Sequence, residues 1–186
     1  WDRFGYRLGS GNWGDVSSPV QLAPEWTGPL PPLSVPVRVA RRCACDRKPV
    51  DLTDPVQRRR LIAYVWPDQT ERLARVKAAT QLALENGVAV EAMDAQDFAA
   101  ARGTPASGLA TAIYHSVFWQ YMPPQAQAAT TAAIEAHGAA ATREAPLAWL
   151  RLEPKSDDPT VMLVSLTTWP GGETRVLAQS HPHGTR

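Results

Sequence analysis

Cysteine is nearly absent: two residues in 186, Cys43 and Cys45, with one residue between them. That spacing is poor for an unstrained disulfide, and two thiols are too few for a closed zinc site, so free thiols in a reducing cytoplasm are expected. Long apolar runs are missing too. Nothing approaches the roughly 20 consecutive apolar residues of a membrane span, and the N-terminus has no signal-peptide pattern. Charge of one sign is lacking: Lys+Arg 19 against Asp+Glu 18 gives +1. Such a chain has no field to bind nucleic acid or an anionic membrane surface by counterion release. An initial Met is lacking as well. Trp1 stands first, as expected of a fragment whose upstream segment has been removed. Internal repeats at 20–50 residues are absent, and the only compositional bias is toward alanine.

What is present, 44% hydrophobic and 20% charged residues, is the composition of a single globular domain. A chain of this length buries roughly 70% of its unfolded surface, so it needs neither a disulfide framework nor a structural metal. Residues 1–34 are rich in Gly and Pro, which predicts loops, short strands at 4–8 and 20–24 and a hairpin. Trp13 and Trp26 are expected to anchor these loops.

From residue 35 to 186 strand and helix signals alternate. Residues 35–45 read as a strand. Residues 52–66 read as a helix with Asp54 at the N-cap and Pro55 in the first turn, where no N–H is needed. A second helix follows from Asp68, with Glu71 three residues on and Asn86-Gly87 as its stop. Residues 88–93 read as a strand, 95–101 as a short helix and 109–119 as a central strand. Pro123-Pro124 opens a helix to His137-Gly138, residues 147–153 form another strand, and 161–180 form a hairpin around Pro170-Gly171-Gly172. Alternation with helices predicts a mostly parallel sheet, with the final pair antiparallel.

Chemistry concentrates in Tyr114-His115-Ser116-Val117-Phe118-Trp119-Gln120-Tyr121, at the C-terminal end of the central strand, where open α/β sheets bind ligands. There His115 is a candidate base, with Tyr121 as a second catalytic candidate. Tyr114 and Trp119 offer rings for stacking, and Gln120 can orient a polar group. Ser116 cannot join His115 in a triad, because adjacent strand residues face opposite ways and no nucleophile elbow surrounds it. His181 and His183 supply two imidazoles, short of a metal site without a third ligand from Glu153, His115 or another acid. Arg38, Arg41, Arg42, Arg47, Lys48, Arg58, Arg59 and Arg60 cluster among Asp46, Asp51 and Asp54, as on a solvated face. Arg151 and Glu153, two apart on one strand, predict an ion-paired strand end.

The element order from residue 35 is similar to the later part of the class I S-adenosylmethionine-dependent methyltransferases, whose parallel sheet ends in an antiparallel hairpin. The segments Trp13-Gly14-Asp15, Pro49-Val50-Asp51-Leu52, Val65-Trp66-Pro67-Asp68, the run from Tyr114 to Tyr121, Trp149-Leu150-Arg151-Leu152-Glu153, Trp169-Pro170-Gly171-Gly172 and His181-Pro182-His183-Gly184 resemble DUF2332, a family of uncharacterised bacterial proteins, over nearly the whole chain. The resemblance implies a Rossmann-like, mostly parallel sheet with helices on both faces and a C-terminal antiparallel hairpin. It also implies S-adenosylmethionine as cofactor, with Asp46 at the ribose and Asp94 near the adenine. Ala44 stands where a glycine is expected, and the glycine turn that precedes Trp1 in such proteins is absent. The sheet is therefore expected to be completed by an upstream segment, a partner copy or a rearrangement.

The implied activity is methyl transfer to a small-molecule acceptor, with His115 as base. The alternatives are a non-catalytic methyltransferase-like binding or assembly module and a metal-dependent hydrolase using His181 and His183.

Overall fold

Residues 1–180 are described by a computed structural model, in which the chain divides into two compact units meeting between Ala92 and Met93. In the first, Gly9 takes a left-handed conformation (φ 56°) that closes β1 (Gly5–Leu8) against β2 (Gly11–Gly14) as an antiparallel hairpin. The third strand, β3 (Gln21–Leu22), pairs parallel to β1, and Val20 beside it is 1% exposed. Trp13 packs between Trp1 and Tyr6. Further on, β4 (Cys45–Asp46) precedes α1 (Pro55–Ala63) and α2 (Thr70–Glu85), and β5 (Glu91–Ala92) returns parallel to β4. Cys43 and Cys45 form no disulfide.

Local chemistry explains the helices. Asp54 accepts the Val56 N–H at 2.7 Å and Pro55 opens α1. The start of α2 departs from expectation: Gln69, not Asp68, holds the N-cap position and makes no side-chain cap bond. The expected strand over 35–45 also contracts to Cys45–Asp46, because β5 offers only two residues to pair with, the Ala44 carbonyl before them accepting the Glu91 N–H at 2.8 Å.

The second unit begins with α3 (Ala95–Arg102) and β6 (Thr111–Ser116). After these come α4 (Pro124–Ala139), β7 (Leu147–Lys155), β8 (Asp158–Trp169) and β9 (Glu173–Ser180). Its sheet has the order β6-β7-β8-β9. One pair, β6 with β7, is parallel; β7 with β8 and β8 with β9 are antiparallel.

This overturns the expected Rossmann-like sheet. Among the described residues the strands form three separate sheets of three, two and four strands, and the parallel pairs β1/β3 and β4/β5 span two residues each. The physical reason lies at Ser156-Asp157. With β7 running on to Lys155 and β8 starting at Asp158, the link is too short for a crossover, so β8 turns straight back along β7 and the C-terminal strands form a meander. Nor, among the described residues of this unit, are there helices on both faces of the sheet. Ile134 of α4 packs with Leu147 and Trp149 on one face, while Tyr114 and Leu150 on the other are exposed.

Two details fix α4. Gly138 lies against Trp169 so closely that a Cβ there would enter the indole. The His137 Nε2–H reaches the carbonyls of Ala99 and Ala100 at 3.1 and 3.0 Å, tying α4 to the end of α3.

Candidate active site

His115 is the inward-facing residue near the end of β6, and the parallel register sets it beside Arg151 of β7. The next inward residue of β7 is Glu153. Its carboxylate meets His115 Nδ1 at 2.6 Å, and both side chains are largely buried, 13% and 16% exposed. A carboxylate only accepts, so it holds the imidazole proton on Nδ1 and leaves Nε2 with a lone pair.

The chain then turns sharply. Val117 sits at φ 48°, a left-handed conformation that a β-branched residue adopts only under strain of about 1–3 kcal/mol. That turn brings the Phe118 and Trp119 N–H groups onto Glu153, at 3.1 and 3.3 Å from Oε1, so one carboxylate orients the histidine and the loop behind it together. Gln127 of α4 donates to the Trp119 and Met122 carbonyls at 2.9 and 3.2 Å and clamps the same loop. Trp119 consequently stacks on His115, 5.1 Å between centroids and 18° between planes.

His115, Trp119 and Glu153 help wall an open cleft of about 790 Å³ in the second unit, between the sheet and α4. Arg151 lies 4.2 Å over the Trp149 ring and donates to Thr167 Oγ1 at 2.8 Å. Ser165 and Thr174 add hydroxyls to the far wall. Burial lowers the His115 pKa from the ordinary 6.5, more than the Glu153 hydrogen bond and charge raise it, with a smaller lowering from the Arg151 charge. Burial also lowers the Arg151 pKa.

A pH dependence follows. An unfolded chain binds a proton at His115 near 6.5 while the folded chain resists it, so the unfolded state holds more protons just below that pH. Stability is therefore complete above about pH 6.5 and falls as the pH drops below it. Urea midpoints at pH 7.5 and pH 5 should differ more for the natural chain than for His115→Asn. The hydrogen-bonded carboxylates of Asp2, Asp15, Asp51, Asp54 and Asp158 are all held below 3.8 and stay out of that window. Equal drops in both proteins would contradict the assignment.

The structure brings only part of the expected set together. His115 and Trp119 line the cleft; Tyr114, Gln120 and Tyr121 do not. Tyr114 points to the opposite sheet face, 61% exposed, and Tyr121 is 74% exposed in the short 3-10 turn Trp119–Tyr121. Asp46, in the first unit, accepts the Lys48 N–H at 2.7 Å in a local turn. Asp94 holds the N-cap position of α3 in the second unit and does not line the cleft. His181 and His183 lie outside the described residues. Among those described, no three His, Cys, Asp or Glu residues group as metal ligands, and no helix is long and apolar enough to cross a membrane.

Glu153 and Arg151 are the cleft residues whose partners differ from expectation. They share a strand face as expected, but Glu153 is taken by His115 and Arg151 by Thr167. Gln127 went unnoticed altogether. The available signal was an acid on a strand parallel to the one carrying His115.

No curated protein and no solved structure matches the chain significantly. Residues 1–186 match the bacterial family described as "Uncharacterized protein conserved in bacteria (DUF2332)", and the chain belongs to that family.

Proposed function

We propose that the second unit carries a general-base site in which His115 Nε2 takes a proton from a small molecule bound in the cleft. The observation that supports this most is the His115–Glu153 pair at 2.6 Å, with the other ring nitrogen buried and unpartnered on a side chain that lines the cleft. In the step itself, a substrate O–H or N–H bond breaks, an Nε2–H bond forms, and the positive charge that develops on the imidazole is held by Glu153. The lowered pKa keeps the imidazole neutral, hence basic, at neutral pH. The Val117 strain supports the same reading, since backbone strain of this kind gathers at functional sites.

Histidine 15N spectra at pH 7.5 test it. His115 should be the neutral Nδ1–H tautomer, and Glu153→Gln, whose amide can donate to Nδ1, should move the proton to Nε2. A charged ring or the Nε2–H tautomer in the natural protein would refute the reading. Deprotonating an oxygen or nitrogen methyl acceptor is one task for such a base. The S-adenosylmethionine reading, which rests on the resemblance in sequence alone, is tested separately by calorimetric titration with that molecule.

A further inference from the structure

Among the described residues, three buried side-chain atoms have no hydrogen-bond partner: His115 Nε2, Trp149 Nε1 and Arg151 Nε. All three side chains line the same cleft. More than about nine in ten buried polar groups in proteins are paired, so three orphans on adjoining side chains mark a place where a ligand supplies the partners. The chemistry of the three differs. Trp149 Nε1–H and Arg151 Nε–H only donate, while His115 Nε2 accepts because its other nitrogen holds the proton for Glu153.

A fitting ligand therefore presents an acceptor group to Trp149 and Arg151 and a donor to His115. Charge narrows the acceptor. Among the described residues Arg151 is the only Lys or Arg lining the cleft, whereas Glu153 and Glu135 both line it, so one negative charge suits it and a phosphate dianion is disfavoured. Its volume of about 790 Å³ and its Trp119 and Trp149 walls suit a small organic molecule.

We infer that the substrate is a small carboxylic acid that also carries a hydroxyl or N–H group, its carboxylate on Arg151 and the Trp149 indole and its protic group at His115 Nε2. This deepens the general-base reading and rests on it for the role of His115 alone.

The test titrates the 186-residue chain with glycolate, acetate and inorganic phosphate, following side-chain 15N resonances. Glycolate should shift Trp149 Nε1, Arg151 Nε and His115 Nε2 together; acetate should shift the first two; phosphate should shift none. Dissociation constants of about 1 mM are in range for ligands of four or five heavy atoms. Arg151→Lys should weaken carboxylate binding about tenfold to hundredfold, as losing a charged hydrogen bond does, and Arg151→Met should abolish it. In His115→Asn, acetate should bind as before while glycolate loses its advantage. Failure of the base reading alone would thus leave the carboxylate site measurable. No shift with either acid, unaltered binding in Arg151→Met with an unchanged spectrum elsewhere, or preference for phosphate would overturn the inference.

Discussion

Replacing Glu153 with Ala is expected to destabilise the chain by about 3–5 kcal/mol, the sum expected when three buried donors lose their one acceptor. Its carboxylate accepts from three groups at once, His115 Nδ1 and the Phe118 and Trp119 amides. Removing it strands all three donors, and each buried donor left unpaired costs about 1–3 kcal/mol. The strained Val117 turn also loses the interaction that holds it. Urea unfolding at pH 7.5 measures the loss. Glu153→Gln, which keeps one acceptor and the side-chain volume, should fall between the two. A Glu153→Ala chain within 1 kcal/mol of the natural one would show that the carboxylate is not the anchor of this loop.

Trp149→Ala should cost as much, about 3–5 kcal/mol, for a different reason. Trp149 is 5% exposed and belongs to the core with Ile134 and Leu147. Its ring also touches the site, 5.6 Å from Trp119 and 6.0 Å from His115 between centroids, with Arg151 over it. Truncation leaves a cavity at the floor of the cleft. Trp149→Phe retains most of the apolar volume and should lose less than about 1.5 kcal/mol, so the difference between the two variants isolates packing from the indole N–H. Equal losses by chemical denaturation would mean that packing is not what Trp149 supplies.

Helices were the legible part of the sequence, since their signals are local. Asp54 and Pro55 start α1 where expected, and Pro124 and the region of Gly138 bound α4. Strand partners are not local. The alternation over residues 35–45 has the right period, yet without a neighbour of equal length nothing binds the N–H and C=O groups into a ladder. The link at Ser156-Asp157 reads as a turn only once both flanking strands are known to extend to it. The candidate site failed in the same way. His115 stood out by its aromatic surroundings, but its partner is 38 residues away and faces it only through the β6/β7 register. Two steps along one strand, Arg151 and Glu153 suggested each other.

The crossover that carries α4 also governs when the site comes into being. Both ends of the dyad sit on strands that α4 connects, so a 38-residue loop must close before His115 and Glu153 meet. Helices form in about a microsecond, whereas contacts of such sequence separation wait for the search that brings distant chain segments together. The His115–Glu153 pair is therefore a late arrival on the folding route, and a nascent chain stopped before β7 has the histidine without the carboxylate that orients it.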